Sequence, residues 1–325
     1  MGTAEATARP PVVWPGLRGA ADRRFDLLVV GDVRLEMRVE LDGLRFAELT
    51  ADRLVYAPAS AVVAGTAVNL ARSAVGYFRR VGLFAKIGDD DHTGSIRREL
   101  NRIGVRDLCR VETGVPNGVA VMVRDDAPAG PGVRLLVADR DAPSRRLSEA
   151  DVRSAAAEIR AADVVFLDGY ALLSPVSRAA TYAAARIAAE SGTLVAFDLV
   201  PHDIDERMPR SEVLPLLGLA DVIVTEAVTV ARLLGAPPPV TSAETRALPP
   251  LLDRAVGGRR PLWLLRFGET NLENVLAYRR ERERGGGRLL LEYASGYGEG
   301  VERAGFGDRL TSCELYWWLS ARSYG

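Results

Sequence analysis

The residues Gly305-Phe306-Gly307-Asp308 have types and spacing that could do chemistry. Two glycines bracket one residue, an acid follows, and an apolar series at helical spacing comes next: Leu310, Leu315, Trp318 and Leu319. A glycine-rich turn at a helix start aims backbone N–H groups at one point, where the helix dipole also favours negative charge. The run therefore describes an anion hole with Asp308 beside it as a base. A surface turn with an N-capping Asp reads the same and is the commoner arrangement.

Other polar residues fall at the ends of expected strands. Phe25 to Val30 reads as a buried strand that ends at Gly31-Asp32, with Glu36 just beyond. A carboxylate that accepts two hydroxyl hydrogen bonds can hold a polyol, although exposed acids at a strand end fit as well. In Ala64-Gly65-Thr66-Ala67-Val68-Asn69, small residues let a ligand approach the backbone, and Asn69 offers a donor and an acceptor. Taken alone, that run is better explained by tight helix–sheet packing. Asp168-Gly169-Tyr170 and Asp198 each follow an expected strand and belong at its ligand-binding edge, whereas Asp163 precedes its strand and belongs at the opposite end. Gly88-Asp89-Asp90-Asp91-His92-Thr93-Gly94 lacks the spacing and terminal Glu of a calcium loop and reads as a turn with a helix cap.

The elements that must position these residues alternate along the chain. Met37 to Leu41 and Leu54-Val55-Tyr56 read as antiparallel strands with one open face, and Gly118 to Val123 with Val133 to Val137 as a second pair. Helices are expected at 67–79 and 95–103, with a strand at 81–87 between them. Beyond residue 147, helices at 148–161, 175–191, 211–219 and 226–234 alternate with strands at 163–167, 193–198, 221–224 and 261–266. A hairpin follows at about 274–293, turning at Gly285-Gly286-Gly287. Such alternation predicts an α/β fold: a mostly parallel sheet with helices on both faces, and the early strands forming a small separate sheet as a lid. Residues 1–24, rich in Ala, Arg and Pro, read as a disordered leader rather than a secretory signal.

Composition narrows the function. With 42 Lys+Arg against 43 Asp+Glu, net charge is -1, which argues against nucleic acid as the main partner. No apolar stretch of membrane-spanning length is present. Cys109 and Cys313 are far apart, fit no metal spacing and read as reduced thiols of a cytoplasmic protein. The only histidines, His92 and His202, supply a metal site or a Ser-His-Asp triad poorly. No Gly-x-Gly-x-x-Gly follows the first strand, which disfavours a dinucleotide-binding enzyme.

Over about residues 25–320 the chain resembles the ribokinase/PfkB-type sugar kinases. Ala64 to Ala71, followed by Val81 to Asp90 and Gly94, is similar to that family's N-terminal signature. Gly305-Phe306-Gly307-Asp308 is similar to the C-terminal signature, usually Gly-Ala-Gly-Asp. Asp168-Gly169-Tyr170, Phe197-Asp198 and Asp221 to Val224 fall between them in the family's order.

The resemblance implies a ribokinase-like kinase domain over 25–325, with lid strands within about 35–62 and 117–138. It implies ATP-dependent phosphorylation of a hydroxyl of a sugar, nucleoside or related polyol, with magnesium as cofactor. Asp308 would be the base, and the amides of Gly305, Phe306 and Gly307 would hold the developing charge. Asp32, Glu36, Gly65, Asn69 and Asp168 would bind the acceptor. Thr225, Glu226, Arg266 and Gly268 would lie along the nucleotide path, with Glu226 also toward the metal. Homodimerisation through the lid is a further implication.

Three positions depart from the family pattern. Glu36 stands where Asp is usual. Thr225-Glu226-Ala227-Val228 replaces Asn-x-x-Glu, so Glu226 would act from a shifted position. Only 17 residues follow Asp308 in a chain of 325, where relatives add more chain around the base, so the donor could be another nucleoside triphosphate. A catalytically degenerate kinase fold, kept as a ligand-binding or regulatory protein, is the alternative reading.

Overall fold

The computed structural model describes residues 23–52, 54–125, 134–280, 288–298, 301 and 303–322. The expected leader lies almost wholly outside these residues. So do the glycine turn at 285–287 and most of the turn at 125–132.

The first half of the chain forms β1 (Asp26–Val30), β2 (Arg34–Leu41), β3 (Ala59–Ala64), α1 (Thr66–Ala74), β4 (Arg80–Phe84), β5 (Lys86–Ile87) and α2 (Thr93–Arg102). Then come β6 (Arg106–Asp107), β7 (Arg110–Val111), β8 (Val119–Asp125) and β9 (Arg134–Ala138). The second half forms α3 (Glu149–Ser154), α4 (Ala156–Ala161), β10 (Val164–Asp168), α5 (Pro175–Ser191), β11 (Leu194–Asp198), α6 (Ile204–Arg207) and α7 (Leu214–Leu217). It continues through β12 (Val222–Glu226), α8 (Ala227–Leu233), α9 (Ser242–Thr245), α10 (Pro249–Ala255), β13 (Leu262–Phe267), β14 (Asn274–Arg280), β15 (Arg288–Ala294) and α11 (Phe306–Arg322).

Among the described residues, the main sheet has the order β15-β14-β13-β12-β11-β10-β1-β4-β6. It is parallel from β13 to β6 and closes with the antiparallel hairpin β14–β15. The chain builds outward from β1 in both directions, so the strand order reverses between β1 and β10. Open α/β sheets bind ligands beyond the C-terminal strand ends at such a reversal.

The core follows the two-residue period of a strand. Leu27 and Val29 pack on one face with α1, α2 and α11, while Leu28 and Val30 pack on the other with α3 to α5 and α8. α11 buries Leu310, Leu315, Trp318 and Leu319 as its spacing predicts, each worth about 1.5–3 kcal/mol when fully buried. The Ser312 hydroxyl donates to the Leu70 carbonyl (3.1 Å) and fixes α11 against α1.

The second sheet has the order β3-β2-β8-β9. Its composition differs from the expected pairing. Leu54-Val55-Tyr56 is not a strand: Leu54 and Tyr56 are exposed, and the small-residue run of β3 pairs with β2 instead. β2 also runs parallel to β8 rather than antiparallel, because the chain crosses through β4 and α2 before reaching β8. Other elements differ at their boundaries. The helix expected at 148–161 breaks at Ala155, and the one at 211–219 shortens to α7 after a 3-10 turn at Arg210–Glu212. Thr93, with its hydroxyl between the Asp90 N–H and the Gly88 carbonyl, makes the acidic run at 88–94 a turn leading into α2, as expected.

Candidate active site

A cleft of about 1110 Å³ lies between the small sheet and the C-terminal ends of the main-sheet strands. Strand ends supply its floor: Gly31-Asp32 after β1, Asp198 of β11, Thr225-Glu226 of β12 and Arg266 of β13. Gly305, Gly307 and Asp308 enter at the start of α11, beside Asn69 of α1.

The α11 entry is a tight turn. The Phe306 N–H donates to the Arg303 carbonyl (3.1 Å), and Gly305 sits third in that turn at φ +68°, where glycine is favoured. Phe306 was expected to contribute an amide to the site. Its N–H is already used, and its ring packs at a tilt against Tyr297, centroids 5.0 Å apart, so Gly305 and Gly307 are the turn residues that line the cleft.

Asp308 is half-buried in the first turn of α11. Burial, then the neighbouring Asp198, push its pKa up to about 7, against Arg266 and a hydrogen bond from Asn69. Burial likewise lifts Asp198 to about 6, against the pull of Arg266 and His202. Arg266 is buried beneath the same turn. Its guanidinium donates to the Gly307 carbonyl (2.8 Å) and to Thr311, and lies 3.7 Å from Glu314. It therefore clamps β13 to the start of α11 from below.

Beyond β1, the Asp32 carboxylate pairs with Arg34 and lies within hydrogen-bond reach of Asp168. Asp168 is fully buried, does not line the cleft, and has its pKa raised by burial and by Asp32. Asp168 thus sits behind Asp32 rather than facing a ligand. Gly65, at φ +113°, brings α1 against Asp32: a Cβ there would fall 2.6 Å from the Asp32 carbonyl oxygen. Glu36 faces the cleft from β2 but pairs with Arg38 at 2.7 Å.

On the far side, Thr225 is buried with its hydroxyl turned to the Glu226 carbonyl, and the Glu226 carboxylate lies 3.2 Å from His202 Nδ1. That contact, ahead of the cost of burial, raises the His202 pKa. Gly268 does not line the cleft. It packs against Glu273, whose carboxylate holds the turn through the Thr270 and Leu272 N–H groups. Sequence reasoning missed Arg34, Arg134, Arg145 and His202 as cleft residues. The two-residue period of β2, which puts 34, 36 and 38 on one face, was the available signal for Arg34.

The family model for the pfkB family carbohydrate kinases matches residues 40–252. The match spans more than half of the chain, which belongs to that family. Solved structures give the same fold. Ribokinase from Giardia lamblia superposes with a TM-score of 0.69 at 12% identity, covering 90% of this chain and 82% of that one. Adenosine kinase from Sinorhizobium meliloti gives 0.68 at 22% identity over 91% and 88% of the two chains. A putative ribokinase II from E. coli, in complex with ATP and Mg2+, gives 0.66 at 17% identity over 93% and 87%. At these identities the likeness defines the fold alone. Comparison with curated protein sequences gave no match. Among the described residues no helix is long and apolar enough to cross a membrane.

Proposed function

We propose that this protein transfers the terminal phosphoryl group of ATP to a hydroxyl of a sugar, nucleoside or related polyol. The observation that carries this reading is Asp308. It is a carboxylate of raised pKa on the first turn of a buried helix, flanked by cleft-lining Gly305 and Gly307, at the point where the sheet's strand order places a ligand.

In this reading the small sheet is the lid of a single kinase domain. Asp32, held against Arg34 with Asp168 behind it, accepts hydrogen bonds from the acceptor, and Asn69 orients Asp308. Asp308 takes the proton of the acceptor hydroxyl as that oxygen bonds to the terminal phosphorus. The Gly305 and Gly307 amides meet the charge that develops as the bond to the leaving diphosphate breaks. Arg266 holds the turn, and its positive charge keeps Asp308 from rising further.

The donor set fits magnesium. Asp198 and Glu226 are hard oxygen donors within each other's electrostatic reach, and this ion takes one or two carboxylates alongside phosphates. When bound, it neutralises phosphate charge. A homodimer through the outer face of the lid, and a cytoplasmic location, complete the proposal.

The decisive assay is ADP release with Mg-ATP and a panel of sugars, nucleosides and polyols. Asp308→Asn should lower turnover by about 100- to 10,000-fold while acceptor binding persists. Absence of acceptor-dependent ADP release across the panel would favour a ligand-binding role instead.

A further inference from the structure

The cleft is lined by many charged groups. Acids gather on the floor: Asp32, Asp198 and Asp308, with Asp168 behind them. Basic residues gather on the lid and on the segment that follows it. The registers β2–β8 and β8–β9 put Glu36 and Arg38 on the same face as Ala120, Met122, Leu136 and Arg134. That face lines the cleft. After β9, Arg140 and Arg145 line it as well.

Most cleft arginines are matched. Arg34 pairs with Asp32, Arg38 with Glu36, Arg207 with Asp203 and Arg232 with Asp205. Arg134, Arg140, Arg145 and, at the entry to α11, Arg303 differ: none has a carboxylate at ion-pair distance among the described residues. Arg145 is half-buried and gives one hydrogen bond, to the Leu173 carbonyl (3.1 Å), which leaves its charge uncompensated. Asp139 also lines this rim, but one of its oxygens accepts the Asp141 N–H (2.8 Å). Tyr170, in the wall beside Asp32, feels both Arg34 and Arg134, and His202 beside Glu226 feels Arg134 too, so Arg134 stands over the middle of the cleft.

Arg145 lies away from the strand that would face the donor's phosphates. β12, which ends in Glu226, lies three strands from β1 in the sheet, about 14 Å at ordinary strand spacing. Arg145 instead bonds the segment that follows β10, the neighbour of β1.

We propose that the acceptor is an anionic polyol, whose hydroxyl end lies over Asp32 and Asp308 and whose carboxylate or phosphate is held by Arg134, Arg140 and Arg145. The inference rests on the kinase reading for which end of the cleft takes the acceptor. Three cations without carboxylate partners facing one cavity form a site for a group carrying one or two negative charges, and arginine suits both carboxylate and phosphate.

The test compares three matched series by calorimetry: pentoses and hexoses, their aldonates, and their monophosphates. At least one aldonate or monophosphate should bind about 10- to 100-fold more tightly than its parent sugar, the range of charge-assisted hydrogen bonds. That margin should collapse in the Arg134→Gln/Arg140→Gln double variant, whose substituted residues are exposed, while binding of the neutral parents stays the same. Which series carries the margin separates carboxylate from phosphate. The proposal is overturned if no anionic member outbinds its parent, including the case in which none binds, or if the margin survives the double substitution. ADP release measured in parallel tests the kinase reading separately. Arginine-dependent anion binding without ADP release sinks catalysis alone, and turnover confined to neutral sugars sinks the anion site alone.

Discussion

Asp308 depends on a glycine that Arg266 crowds. Gly307 has no room for a side chain, since a Cβ there would fall 2.5 Å from Arg266 Nη1. Arg266 cannot yield cheaply, because it is buried and bonded to the Gly307 carbonyl and Thr311. Gly307→Ala should therefore displace the first turn of α11, cost about 1–3 kcal/mol in thermal or denaturant unfolding, and lower kcat more than it raises KM. An unchanged kcat would show the Arg266 contact to be slack. Gly305 and Asp308 could be read from the sequence because four adjacent residues carry their signal. Arg266 was placed on the nucleotide path, but its clamp on α11 was not legible. That contact joins residues 41 apart and exists only once β13 and α11 have packed. The recruitment of Phe306 to the anion hole failed for a local reason: a turn that needs glycine at position 305 uses the next N–H to close itself.

At the scale of elements, strands in the parallel sheet were the easiest to place, because each is a short apolar run buried on both faces. The lid was harder. Leu54-Val55-Tyr56 has strand-like residues, yet the observed partner of β2 is an Ala- and Ser-rich segment of low strand propensity, chosen by register rather than by composition. The same register places Met37, Val121 and Val137 side by side on the outer face of the lid, where each is at least 38% exposed. We propose that this exposed apolar face pairs with a second copy about a two-fold axis. Sedimentation or light scattering should report a dimer for the wild type and a monomer for Val121→Asp/Val137→Asp. A monomeric wild type at micromolar concentration would remove the lid as an interface.

For the molecule as a whole, the buried acids make stability and activity pull in opposite directions. The pKa values of about 6 for Asp198 and about 7 for Asp308 mean that the folded state holds protons that the unfolded chain releases, so their effect destabilises as pH rises from about 4 to 7. Asp26, at the other end of the sheet, does the reverse. Burial raises its pKa, but hydrogen bonds and charge from Arg79 and Arg80 prevail and hold it at about 2, below its ordinary 3.8. Its stabilisation is present above pH 3.8 and is lost as pH falls through about 2. Maximum stability is therefore expected at about pH 4–5, while kcat/KM should climb until Asp308 is ionised above about pH 7. Tm measured from pH 4 to 8 should fall with pH, and less steeply in Asp308→Asn. A Tm that rises over that range in the wild type would contradict the assignment.

The joint between α1 and α11 has a consequence for how the protein is made. Ser312 reaches the carbonyl of a residue 242 positions earlier, and Asn69 meets Asp308 across nearly the same gap. During synthesis every strand of the main sheet leaves the ribosome before α11 does. A nascent chain can thus assemble the floor and lid of the cleft while it still lacks Gly305, Gly307 and Asp308. If the proposed kinase reading holds, activity appears only when the two helices dock, and this pairing of high sequence separation, slow by its topology, times its onset.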